Sequence, residues 1–331
     1  MQNNTKKLII IFLLLITFSI CAICIRVGSE QQASKTCLSG GYLKQAAEIT
    51  GTEIFDESLS RQTISIINKK RSNRNEIFFR PSRLSAINSN FLDFESFSQT
   101  FADGNIPASL MDTPVNTIIN YFSVLQQASN LTEKKSGGSG DVGYSKVPYP
   151  IAYSFLSESN KKSMPYNEYL TSFEGIGHIN LLNILPIITK TENEYKYFIE
   201  LEILEGSSVG VTTFNYYTGE LILTKTNELF YIDSLYLIPE DFFFAAYHGW
   251  IHNAEMYVEI VYGNWCGLVM KQYAPEQNDY KKKIIVDGVD KRKYMFEFAK
   301  LVNGTDLLIN SLVKEDGNWI PVEIEVNRQN S

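Results

Sequence analysis

From Asp112 onward the apolar positions follow two periods in turn. Val115, Ile118, Ile119, Phe122 and Leu125 recur at helical spacing through Ala128, with Asp112 or Thr113 as a cap and Pro114 just inside. Short helical stretches follow at Tyr153–Leu156 and, after Pro165, at Tyr166–Phe173. Between Ile176 and Leu237 the period falls to two. His178–Thr189 is apolar and branched, Tyr195–Ile203 alternates, and Gly210–Tyr217 is β-branched and aromatic. Thr218-Gly219-Glu220 reads as a turn before Leu221–Lys225, and Leu229–Leu237 completes the set. The plan then repeats. A helical pattern starts at Pro239, and strands follow at Lys283–Val286, Tyr294–Leu301, Leu307–Val313 and Trp319–Val326, with Asn303-Gly304 as a tight turn. The pattern predicts an α+β chain in which helix-then-antiparallel-meander occurs twice, over 112–237 and, in a shorter form, over 238–331.

The stretch Pro239–Met270 concentrates the residues capable of chemistry. It holds two of the three histidines, two of the three tryptophans and Cys266. At about 100° per residue, Asp241, His248, His252, Glu255 and Glu259 share one stripe, while Phe243, Ala246, Trp250, Ala254, Tyr257 and Val261 lie opposite. His248, His252 and Glu255 stand at i, i+4 and i+7, a spacing that can bring two imidazoles and a carboxylate around one zinc ion. The competing reading is a solvated polar face. The glutamate of a metalloprotease helix would sit beside the first histidine, where Gly249 stands, and no fourth ligand is evident.

Ahead of this body lies Leu8–Ile25, an uncharged apolar run of 18 residues preceded by Lys6 and Lys7. As a helix it spans about 27 Å, close to a hydrocarbon core, and the lysines orient the remainder outward. Residues 1–28 therefore read as a retained single-pass anchor, with a cleaved signal peptide or a lipoprotein leader as alternatives. All three place the body outside the cytoplasm. Residues 29–111 read as a spacer arm, with a polar run at Asn68–Asn75.

Composition narrows the classes. The chain is 44% hydrophobic and 20% charged, which suits a packed core, and its net charge is −7. Lys6, Lys7 and Arg26 leave with the first segment, so the body is more acidic still. An acidic body argues against nucleic acid, whose binding rests on basic surfaces. Of the four cysteines, Cys21 and Cys24 lie in the apolar run. Cys37 and Cys266 could form an extracytoplasmic disulfide or remain thiols. No phosphate-binding loop or nucleophile elbow is present. Asn-, Lys- and Ile-rich usage suggests a bacterial chain.

Leading helices, followed by a meander whose hairpins read turn, polar, aromatic, alternating strand, occur at Gly219–Lys225 with Leu229–Leu235 and again at Lys314–Pro321. This layout resembles the NTF2-like, cone-shaped α+β fold. The resemblance covers roughly 112–326. It extends to the extracytoplasmic domains of Gram-positive bacteria, including membrane-tethered components of conjugation machinery. It implies a curved sheet closed by helices. Enzymes of the family use His, Asp or Tyr inside the cone, which here directs attention to His178, Tyr217 and Asp233. No arrangement matches a known enzyme of the family, so no catalytic role is assigned. The expectation is a membrane-tethered, extracytoplasmic module that binds a protein partner at the cell surface. The alternatives are a metal-binding protein or hydrolase using His248, His252 and Glu255, and a cone holding a small apolar ligand.

Overall fold

The computed structural model describes residues 106–137, 143–191, 194–240 and 249–326. The expectations for residues 1–28, and those for the arm up to residue 105, lie outside the described residues. Among the described residues no helix is long and apolar enough to cross a membrane.

Among the described residues, four α-helices precede the first sheet: α1 (Pro114–Gln126), α2 (Pro148–Ser154), α3 (Glu158–Ser163) and α4 (Tyr166–Ser172). Thr113 caps α1, its side chain accepting from Asn116 N, with Pro114 at the first helical position. The sheet is a four-stranded antiparallel meander, β1 (Ile176–Ile187), β2 (Glu194–Gly206), β3 (Thr212–Thr226) and β4 (Leu229–Pro239), in sequence order. The α+β class read from the sequence is the class observed.

Gly219 does not make a turn. It lies inside β3, paired with Ile199 on one side and Leu237 on the other. A Cβ built there would stand 2.0 Å from the Tyr236 carbonyl oxygen, so the glycine permits close approach of β4 within an unbroken strand.

One face of this sheet holds the first core. Ile179 and Leu181 of β1, Tyr197, Ile199, Leu201 and Ile203 of β2, and Leu221 and Leu223 of β3 pack with Ile118, Phe122 and Leu125 of α1. Tyr121, Tyr149, Tyr169, Phe155 and Phe173 fill the space between helices and sheet, all at most 1% exposed. Their rings meet edge-on or tilted at 4.9–6.2 Å, the geometry that aromatic quadrupoles favour.

The second sheet runs β10-β9-β8-β7-β5, from β5 (Val269–Gln272), β7 (Lys281–Gly288), β8 (Lys293–Lys300), β9 (Asp306–Glu315) and β10 (Asn318–Pro321). A short β6 (Glu276–Asn278) also pairs with β7. Its core forms where Ala254, Val258, Val261 and Tyr262 pack on Ile284, Val286, Tyr294, Phe296 and Phe298. Tyr262 stacks on Phe296 at 4.1 Å.

The helix expected from Pro239 is not continuous. Pro239 ends β4, where its fixed φ and missing N–H suit a strand end as readily as a first helical turn. Residues 241–248 lie outside the described residues. A 3-10 turn occupies Gly249–His252, and Asn253 then takes an extended conformation and caps a new helix, α5 (Ala254–Tyr257), through Met256 N. The chain continues as a π-helical stretch, Val258–Trp265. The apolar face nevertheless matches the sequence pattern: Trp250, Ala254, Tyr257 and Val261 all meet the second core.

A buried ion pair anchors α5. Asp306 Oδ2 accepts the Ala254 amide at 3.0 Å and the Lys282 ammonium at 2.7 Å, and both side chains are almost wholly buried. Asp306→Ala would strand the Lys282 charge, and we expect a loss of about 3–5 kcal/mol in denaturant unfolding. Asp306→Leu with Lys282→Met removes both charges together and is expected to cost much less. A single variant no worse than the double would refute this reading.

Candidate functional site

In β2 the even positions point away from the helices, and alternation would leave them to solvent. They are buried instead: Phe198 is 3% exposed, Glu200 0% and Glu202 1%. The second sheet covers part of this face. Phe198, with Leu185 and Ile187 of β1, packs on Ala299, Leu301 and Ile309. Ile309 reaches this contact because the β8–β9 register shifts between Glu297 and Phe298. Asn310 secures the same joint, accepting from Ile188 N at 2.9 Å and donating to Glu297 at 2.8 Å and to the Pro186 carbonyl at 3.3 Å.

At the other end of the joint are two carboxyls, Glu200 and Glu240. Glu200 Oε1 accepts the Val302 amide at 2.8 Å, and Glu240 Oε2 accepts the Asn303 side-chain amide at 3.0 Å. The remaining oxygens, Glu200 Oε2 and Glu240 Oε1, are buried and no donor reaches either, while the two carboxyls lie close enough to act on each other. Two such oxygens can satisfy each other only by sharing a proton. Burial lifts Glu200 well above the ordinary carboxyl range, against the opposing pull of the Val302 amide. Burial and then the neighbouring Glu200 charge lift Glu240.

A second polar cluster lies along the same face of the first sheet. Asn180 pairs with Glu202 in register. Glu202 accepts from Tyr216 OH at 2.6 Å and from the Asn180 amide at 3.2 Å. The Asn180 oxygen therefore faces His178 Nε2 at 2.9 Å and Gln126 Nε2 at 2.8 Å, so the imidazole carries its proton on Nε2. His178 is 1% exposed, and burial lowers its pKa to about 4. The imidazole is neutral at physiological pH and holds β1 to the end of α1.

The three positions singled out by the resemblance do not converge. In the β2–β3 register Tyr217 pairs with Leu201, on the helix side, and its hydroxyl donates to Glu205 at 2.7 Å. His178 belongs to the opposite face, with Asn180 and Glu202. Asp233 is the extra residue at the β3–β4 register shift. It accepts from Ser157 at 2.7 Å, and its carbonyl accepts from Asn160 at 2.8 Å, which ties the cap of α3 to β4.

Of the proposed metal ligands, His248 lies outside the described residues. His252 ends the 3-10 turn and Glu255 opens α5, with extended Asn253 between them, so the helical spacing that grouped them is interrupted. Glu255 stands in the first turn of α5, favourable to the helix dipole. Among the described residues no group of three or more His, Cys, Asp or Glu is placed to hold a metal ion. Cys266 is a free, half-buried thiol whose pKa burial raises. Cys37 lies outside the described residues. Searches against family models, curated proteins and solved structures find no match to this chain.

The buried histidine sets an acid limit on stability. Its folded pKa lies below its unfolded value near 6.5, so the unfolded chain takes up the proton first as pH falls. We expect His178→Gln, which keeps an amide donor toward Asn180, to lose less stability than the wild type between pH 6.5 and 4. The gap should close at up to about 1.4 kcal/mol per pH unit. Parallel curves for the two proteins would show that His178 is not buried neutral.

Proposed function

We propose that the chain is a membrane-tethered, extracytoplasmic binding or assembly module, built from NTF2-like α+β units over 112–237 and 238–331, and that it docks a protein partner at the cell surface. The observation that carries this reading is the use to which the interior is put. The space between helices and first sheet is filled by tyrosine and phenylalanine rings at most 1% exposed. Tyr217 and Asp233 are engaged in hydrogen bonds that join elements of the fold, and His178 is bonded to Asn180, which Gln126 ties to α1. A filled interior favours action through the surface over a cone that holds a small apolar ligand.

The outer edge of the second sheet supplies exposed apolar side chains for such contact. Met270 on β5 is 66% exposed and Met256 on α5 is 46% exposed, and Gln272 of β5 reaches the Glu255 carbonyl at 3.5 Å. Methionine suits adaptable binding surfaces. The apolar run 8–25 supports the tether, and the acidic body supports a protein partner over nucleic acid.

The test is photo-crosslinking in native membranes, with the crosslinker at Met270 or Met256 and, as a control, at Glu158 on α3. A discrete protein adduct from the first two positions and none from the third is expected. The same protein should fractionate with membranes and be digested by protease added outside. Adducts from none of the three positions would overturn the docking reading. Stoichiometric zinc that disappears in His248→Ala/His252→Ala would instead favour the metal-dependent alternative.

A further inference from the structure

We propose that the joint between the two sheets is a pH-sensitive latch: a proton shared by Glu200 and Glu240 holds the Leu301–Thr305 turn against the back of the first sheet, and its loss releases that turn. The inference is independent of what the surface binds.

The geometry is that of a plug. Leu301 N donates to Thr305 O at 2.8 Å, and Asn303 Oδ1 accepts both Thr305 N and its hydroxyl, so the turn is rigid in itself. Gly304, at φ 87°, supplies the left-handed residue that closes it. Two of its groups point into the joint, the Val302 amide to Glu200 and the Asn303 side chain to Glu240. Both anchor points are carboxyls on the first sheet and its exit, so the contact depends on their charge state.

Among the described residues, the surroundings do not neutralise a second charge. From β1 the pair meets Asn183, from β3 Thr218, and from its own strand Glu202, which is already bonded to Tyr216 and Asn180. From the β6–β7 turn Tyr280 feels the Glu200 charge, beside Asp279. Lys300 of β8 offers its backbone carbonyl to Asn183 at 3.5 Å. Among the described residues no cation forms a salt bridge with Glu200 or Glu240. One proton satisfies both leftover oxygens, whereas two buried carboxylates would repel at close range. Release is local, because Phe198, Leu185, Ile187, Ala299, Ile309 and Asn310 hold the rest of the joint without ionisable contacts to this pair.

The sign follows from burial. The folded pair binds its proton more tightly than the unfolded chain does, so the stabilisation is present at low pH and is lost as pH rises through the folded titration. Hydrogen exchange on the full chain between pH 6 and 9, corrected for intrinsic exchange, reads this directly. Protection at Leu301–Thr305 should fall by up to about tenfold per pH unit. Protection at Ile118 and Phe296 should stay constant. In Glu200→Gln/Glu240→Gln, which leaves no titratable proton in the pair, protection of the turn should be independent of pH. A wild-type turn with constant protection, or a variant with the wild-type slope, overturns the latch. If the variant does not fold, carboxyl-carbon NMR of the wild type decides. A glutamate titrating near neutrality is expected, and a full set titrating below pH 6 overturns the proposal.

Discussion

The described structure depends on the burial of the back of β2. A strand that alternates Tyr195, Tyr197, Ile199, Leu201 and Ile203 with Lys196, Phe198, Glu200 and Glu202 is built for one apolar face and one wet face. Here both faces are buried along the middle of the strand, and the second face contains carboxylates. Taking a carboxylate out of water is costly unless it is paired, hydrogen-bonded or protonated. Two solutions occur on that face. Glu202 is held by Tyr216 and Asn180, and Glu200 by the Val302 amide and a proton shared with Glu240. Of the two, only the Glu200 arrangement reaches out of the first sheet.

The same hairpin serves both halves. The turn between β8 and β9 closes on the first sheet, and the residue that begins β9, Asp306, turns to the opposite face to hold Lys282 and the first amide of α5. Alternation along β8 has the same effect. Tyr294, Phe296 and Phe298 face the second core, while Ala299 and Leu301 meet Phe198 at the joint. A disturbance at the joint therefore acts on a strand whose other face is the floor of the second core. Interiors packed this closely transmit strain instead of absorbing it.

Legibility in the sequence followed the reach of each interaction. The helix α1, most strands and the Asn303-Gly304 turn are set by local periodicity and turn chemistry and stand close to where the pattern put them, but β10 stops at Pro321 instead of running to Val326, and β5 and β6 were not in the pattern. Two local readings failed because a distant partner decided them. Gly219 looked like a turn residue, but its function is to admit the Tyr236 carbonyl from β4. The stretch after Pro239 has helical periodicity, but Asn253 is a strong cap, and Asp306 supplies a second acceptor 52 residues away. The polar clusters were the least legible. Nothing in the alternation of β2 distinguishes a glutamate facing water from one facing a second sheet. The pairing of Glu200 with Glu240 depends on β3 and β4 bringing Glu240 beside Tyr216. The available signal was modest: a strand with four glutamates, Glu194, Glu200, Glu202 and Glu205, interrupted by an outward-facing phenylalanine.

His178 and the Glu200–Glu240 pair oppose each other in their response to pH. The histidine is buried neutral, so acid favours the unfolded chain, which accepts the proton more readily. The carboxyl pair is buried with a proton, so alkali favours the unfolded chain, which gives it up more readily. Both groups sit on the same face of the first sheet, two strands wide, and both are linked to it through asparagines of β1, Asn180 and Asn183. That face is therefore most tightly held in the interval between the two titrations. This polar layer, more than either aromatic core, is therefore the part of the described fold whose hold depends on pH.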